Sequence, residues 1–172
     1  MRQWQPADLD KFAEISADPE VMRYFPEMLS RAKCEQYMES WQSAIAAQGW
    51  GVWAVALKNN NEFIGITGLQ FQSSRFSFSP CTEIAWRIAR QYWRQGYAFE
   101  AANATLKFGF EVLGLAEIVA FTAVDNLASI GLMQKLAMQK RERFLHPALQ
   151  KEHPLAEHIL YVSQCHSFAA LN

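Results

Sequence analysis

The stretch from Cys81 to Ala101, CTEIAWRIARQYWRQGYAFEA, constrains the fold more than any other, because its hydrophobic period changes midway. Ile84, Trp86 and Ile88 alternate with Glu83, Ala85 and Arg87, which predicts a strand over Thr82 to Ala89 at a buried sheet position. From Gly96 onward Phe99, Leu106, Phe110 and Leu113 fall at helical intervals, so a helix opens near Gly96 and ends with Gly114 as its C′ residue. A strand therefore feeds a helix through a turn holding Arg94, Gln95 and Gly96. Such a turn leaves backbone N–H groups unpaired at the positive end of a helix, where they can hold a phosphate. On these residues alone a plain connection is the commoner reading.

The remaining chain supplies elements around this unit. Trp4 is preceded by a stub of strand, and Pro6-Ala7-Asp8 opens a helix carrying Leu9, Phe12, Ala13, Ile15 and Ser16. Ser30 to Ala47 reads as a second helix, N-capped by Ser30, with Cys34, Tyr37, Met38, Trp41 and Ile45 on one side. Trp50 to Leu57 and Glu62 to Phe71 make a hairpin around Lys58-Asn59-Asn60-Asn61, and Gln72 to Pro80 reads as an exposed loop. Glu117 to Ala123 is short and apolar enough for a buried strand. Asp125-Asn126 caps a helix bearing Ile130, Met133, Leu136 and Ala137, and two strands follow at Arg141 to Leu145 and Ile159 to Ser163.

A length of 172 residues suits a single domain, 1–172, with a core that needs neither metal nor disulfide. The net charge of −1 lacks the basic surplus of a non-specific nucleic-acid binder. No apolar run approaches the roughly 20 residues of a membrane span, so a cytoplasmic protein is expected. Cys34, Cys81 and Cys165 are odd in number and far apart, as reduced thiols would be. His146, His153 and His158 have neither a CxxC companion nor an HxxxH spacing, and no metal is expected.

Trp93-Arg94-Gln95-Gly96-Tyr97-Ala98, preceded by Glu83-Ile84-Ala85-Trp86 and followed by Glu100-Ala101, resembles the acetyl-CoA pyrophosphate motif of the GNAT superfamily of N-acetyltransferases. The likeness is greatest to the ribosomal-protein N-terminal acetyltransferase branch, the RimJ/RimL type, and covers nearly the whole chain. Members of that branch usually begin with a longer strand before the counterpart of Trp4. Asp18-Pro19-Glu20-Val21 is similar to a segment the family sets beside its acceptor, and Tyr24 and Phe25 after it stand equally as acceptor contacts or as packing. Phe63-Ile64-Gly65-Ile66-Thr67-Gly68-Leu69 matches its third strand. Asn126-Leu127-Ala128-Ser129 followed by Lys135-Leu136-Ala137-Met138 resembles its second cofactor motif.

The resemblance implies an α+β fold of three layers. Its mixed, mostly antiparallel sheet has about six to seven strands, splayed at the central pair and flanked by about four helices. It implies acetyl-CoA as co-substrate, bound by Trp86, Arg87, Ile88, Arg94, Gln95, Gly96, Tyr97, Ala98, Asn126, Ser129 and Lys135. Many members carry glycine where this chain has Arg94, and typically glycine where it has Ala137. Met133 stands where other GNAT enzymes carry a tyrosine acid, so no tyrosine acid is expected. Catalysis is then expected from Glu83 as general base with Asn126 and Ser129 near the thioester; an ion-paired structural role for Glu83 stays open. The expected partner is a primary amine, foremost the N-terminal α-amine of a ribosomal or other protein, served by a monomer or homodimer. A small-molecule or aminoglycoside-type acetylase and a non-catalytic acyl-CoA-binding module are the alternatives.

Overall fold

The computed structural model describes residues 1–169. Five α-helices and six strands follow one another as α1 (Asp8–Ala17), α2 (Arg31–Gln48), β1 (Val52–Ala56), β2 (Phe63–Gln72), β3 (Cys81–Ile88), α3 (Tyr97–Glu111), β4 (Glu117–Ala123), α4 (Leu127–Lys135), β5 (Gln139–Leu145), β6 (Glu157–Gln164) and α5 (Cys165–Ala169), with a 3-10 turn over Arg90–Tyr92. The strands form one sheet in the order β1-β2-β3-β4-β6-β5. It is mixed: β3 and β4 are parallel, whereas β1/β2, β4/β6 and β5/β6 are antiparallel. The chain divides into two compact units, each discontinuous in sequence: Met1–Leu69 with Ala85–Ala102, and Gln70–Ile84 with Asn103–Asn172.

The first unit is built on aromatic packing. Trp4 lies 5.3 Å from Phe12, 5.7 Å from Trp41 and 5.5 Å from Phe63, ring centre to ring centre, and its indole N–H donates to the Val52 carbonyl at 2.8 Å. The expected N-terminal stub is a bridge from Arg2 to Ala54. Arg2 also reaches Asp8 with two hydrogen bonds of 2.7 and 2.8 Å, holding the buried first-turn acid of α1. Ser30 caps α2 by accepting the Lys33 N–H at 3.2 Å, and Gly49 ends that helix at φ 81°. Two glycines of β2 are demanded by close approach. A Cβ on Gly68 would lie 2.1 Å from the Gly51 carbonyl oxygen, and one on Gly65 2.2 Å from that of Arg87.

In the second unit β6 lies between β4 and β5 and is antiparallel to both, pairing β4 from Glu117↔Gln164 to Ala123↔His158. The expected exposed loop between β2 and β3 differs from that reading in two ways. Gln72 is the last residue of β2, and Phe76 is buried, stacked on Phe78 at 5.0 Å and edge-on to Phe121 at 4.8 Å. Burying a phenylalanine is worth about 1.5–3 kcal/mol, which outweighs the polar character of its serine neighbours. Helix α5 went unforeseen, being too short to show a period, and makes five helices where four were expected. The end of α3 also departs from the expected C′ geometry. The helix stops at Glu111, the Leu113 and Leu115 N–H groups donate to Phe108 and Gly109, and Gly114 reverses the chain at φ 66°.

Candidate active site

Strand β3 places Glu83 opposite Val119 in its parallel pairing with β4. The carboxylate accepts one hydrogen bond from Gln72 Nε2, at 3.0 Å. Burial pushes its pKa up to about 7, while the Gln72 hydrogen bond and the charge of Arg75 pull the other way without balancing it. A neutral amide donor leaves a desolvated carboxylate short of compensation, so Glu83 is held near half-ionisation at neutral pH, where a general base works best. Cys81, on the same strand, is shifted in the same direction with another consequence. Burial raises its thiol pKa, making it a poor nucleophile.

Helix α4 sets out the second expected group. Asn126 is its N-cap: Oδ1 accepts the Ser129 N–H at 3.2 Å, and Nδ2 donates to Thr122 Oγ1 at 2.8 Å. Both ends of the amide are thus engaged in holding the β4–α4 junction. Ser129 lies half-buried one turn into the helix and Lys135 is exposed at its end. Met133 is fully buried. Ala137 follows the helix at φ 56°, the left-handed conformation that glycine adopts without strain.

In the first unit the turn after β3 begins where Trp93 Nε1 donates to the Ile88 carbonyl at 2.7 Å. Arg94 has φ 62° and Gly96 φ 89°. The first backbone bond of α3 runs from the Glu100 N–H to the Gly96 carbonyl at 3.0 Å, so the N–H groups of Tyr97 and Ala98 have no acceptor within the helix. Space beside Gly96 is open: an added Cβ would meet no atom within 4 Å. Gln95 is exposed, its amide donating to the Gln91 carbonyl at 2.8 Å. Tyr97 and Ala98 pack against Val55, Ile64, Ile88 and Ala101, fixing the first turn of α3. An exposed turn with open backbone donors at a 15-residue helix start fits a pyrophosphate.

The other β3 residues divide. Trp86 is half-buried and Ile88 buried. Arg87 directs its guanidinium to Ser16 of α1, donating from Nη1 to Oγ at 2.9 Å, and stacks on Phe25 at 4.4 Å. The chemical partners least visible beforehand are Gln72 and Arg75, which act on Glu83 from the β2–β3 segment, and Ser16. The β2 hairpin period running on to position 72 was the available signal for the first; Arg75 and Ser16 had none.

A family model described as an acetyltransferase (GNAT) domain matches residues 1–139. An uncharacterized N-acetyltransferase, YoaA of Bacillus subtilis, is 28% identical over 143 residues, 81% of this chain and 78% of its own. Among solved structures, the ribosomal-protein-S5-alanine acetyltransferase of Vibrio fischeri superposes with a TM-score of 0.77 at 17% identity, covering 97% of this chain and 93% of that one. The spermidine N-acetyltransferase of Vibrio cholerae, solved with CoA and spermine, does so at 0.76 and 17% identity, covering 99% and 96%. At such identities these structures share the fold.

Proposed function

The chain belongs to the GNAT acetyltransferase family and is an acyltransferase, and we propose that it transfers the acetyl group of acetyl-CoA to a protein N-terminal α-amine with Glu83 as general base. The observation that carries this reading is Glu83 itself, a half-buried carboxyl on β3 that accepts a hydrogen bond from the Gln72 amide and whose pKa desolvation raises to about 7. Acetyl-CoA supplies a thioester whose acyl carbon takes the amine. The backbone N–H groups of Tyr97 and Ala98, with Gly96 allowing close approach, receive the pyrophosphate, and the Arg94 guanidinium adds a charge-assisted contact. Glu83 removes the proton from the amine nitrogen as the C–N bond forms and the C–S bond breaks. A thiol leaving group ionises near pH 8.5, so no dedicated acid is required, and the Ser129 hydroxyl suffices as a hydrogen-bond donor.

The proton balance favours an α-amine over a polyamine. An α-amino group titrates at about 7.7–8.0 and an alkylamine near 10.4, so a base at about 7 is much better matched to the first. The charged group that acts on Glu83 is the cation Arg75, which repels a polycation. Cell lysate incubated with the enzyme and labelled acetyl-CoA, then analysed by mass spectrometry, tests the reading. Label on protein N-terminal α-amines is expected, and label confined to polyamines or aminoglycosides overturns it. Acetyl-CoA at a hundredfold excess over its Kd should also stabilise the fold by about 2.7 kcal/mol, whereas the absence of any shift would remove the cofactor reading.

A further inference from the structure

Arg87 carries a charge that the described residues do not neutralise. Nη1 donates to Ser16 Oγ, the guanidinium lies between the rings of Phe25 at 4.4 Å and Phe12 at 5.9 Å, and Nε is buried without an acceptor. The titratable groups that act on it are a thiol and a phenol, Cys34 and Tyr37, and no carboxylate pairs with it among the described residues. Burial lowers its pKa to about 10, as expected for a cation taken out of water with little to offset the loss.

A desolvated guanidinium is ordinarily paired, because burying an isolated charge is costly and hydrophobic residues of similar volume would serve packing better. Aromatic stacking and one hydroxyl answer only part of that cost. Nε and its neighbour Nη2 form the edge of the guanidinium whose N–H bonds run parallel, matching the two oxygens of a carboxylate. Arg87 is itself half-buried, and Phe25, which stacks on it, and Tyr37 are both exposed to solvent. We propose that Arg87 receives a carboxylate carried by the acceptor, so that the amines acetylated are those bearing an acid group. This rests on the reading of the chain as an amine acetyltransferase. The carboxylate is either an acidic side chain close to a peptide N-terminus or the acid of a free amino acid.

Matched pairs separate these sources. Alanyl-glutamic acid amide is compared with alanyl-glutamine amide, and alanine with alaninamide, by kcat/KM for acetyl transfer with wild type, Arg87→Met and Arg87→Lys. Met fills a similar volume without the charge, and Lys keeps the charge without the fork. In wild type the acid member of one pair should be favoured by about 10- to 100-fold, the worth of a charge-assisted contact. Arg87→Met should level that pair and Arg87→Lys should keep part of the preference; the pair that discriminates identifies the source. Equal rates within both pairs, a preference that survives in Arg87→Met, or a loss in Arg87→Met of acetyl-CoA affinity instead of discrimination would each overturn the proposal. If wild type acetylates none of the four, calorimetric titration of the same compounds into CoA-loaded enzyme decides. Tighter binding of an acid that depends on Arg87 upholds the carboxylate site although amine transfer has failed, and equal or absent binding removes it.

Discussion

Gln72 Nε2 lies 3.0 Å from Glu83 Oε2, giving a half-buried, desolvated carboxylate a neutral hydrogen bond where an ion pair would ordinarily stand. An arginine or lysine in place of Gln72 would hold Glu83 ionised and weakly basic, whereas an apolar residue would leave it protonated. The amide keeps it between the two, which is the state the proposed general-base role requires.

Glu83→Gln keeps size and hydrogen bonding and removes the base. Its kcat should fall by about 10²- to 10⁴-fold with acetyl-CoA affinity little changed. Wild-type kcat/KM should rise with pH through a step near 7, from the Glu83 carboxyl, and the variant should lose that step. Full activity in the variant at pH 7 would take Glu83 out of the mechanism.

The same substitution should stabilise the fold in alkali. The folded-state pKa of Glu83, about 7, lies above its ordinary 4.5, so between those values the native state holds the proton more tightly and stability falls as pH rises. Above pH 7 the ionised, desolvated carboxylate costs on the order of 2–3 kcal/mol, which Glu83→Gln relieves. Urea denaturation at pH 8 should show the variant more stable than wild type, and at pH 4.5 the gap should close. A variant less stable at pH 8 would mean that the carboxylate is compensated after all.

Period and turn chemistry made much of this fold legible. The β2 glycines, the Ser30 and Asn126 caps, and the strand-to-helix turn at Gly96 are local features whose physics is complete within a few residues. What stayed hidden depends on distant partners. Phe76 sits in a serine-rich segment and is buried only because Phe121 and His146 come to it from elsewhere in the chain. Arg87 is expected among the cofactor contacts through the resemblance alone, and its surroundings, with no counterion among the described residues, are set by Ser16 and Phe25, sixty or more positions away. The environment of Glu83 is of the same kind, since Gln72 and Arg75 act on it from the preceding strand and loop.

His146 and His158, ring centres 4.9 Å apart in the Phe121 and Phe144 cluster, should make the fold sensitive to acid. Burial, then His158, then Arg75 lower the His146 pKa to about 4, and burial lowers that of His158. The unfolded chain therefore binds more protons than the native one between pH 6.5 and 4, and stability is lost as pH falls through that window, by on the order of 1 kcal/mol after allowance for solvent screening. Glu83 has the opposite slope over much of the same range, so the histidine effect should stand clear in Glu83→Gln. Histidine ring shifts followed by NMR that titrated at about 6.5 would refute it.

Asn126→Ala should lower stability by about 1–2 kcal/mol, because the Ser129 N–H loses its acceptor and Thr122 Oγ1 its donor. Asn126→Asp preserves the cap and should recover most of the loss in chemical denaturation. Ser129→Ala should reduce kcat about fivefold, the worth of one hydrogen bond. Abolished turnover with acetyl-CoA still bound would instead make Ser129 an obligatory acid.

Arg94 and Ala137 occupy left-handed backbone, at φ 62° and 56°, where an L side chain costs about 1–2 kcal/mol. Glycine relieves that strain but widens the unfolded ensemble, at about 0.4–1 kcal/mol. Ala137→Gly should therefore gain on the order of 0.5–1 kcal/mol with activity unchanged. Arg94→Gly should gain a similar amount in stability while losing acetyl-CoA affinity, because the guanidinium and not the backbone shape is what the substitution removes. Gly96 behaves in the reverse sense. At φ 89° and with open space around it, Gly96→Val strains the turn and fills the room a pyrophosphate needs, so binding should fail even where the protein still folds. Isothermal titration of acetyl-CoA into the three variants separates the effects: unchanged affinity in Arg94→Gly would show that the guanidinium does not serve the phosphate, and unchanged affinity in a folded Gly96→Val would place the pyrophosphate elsewhere.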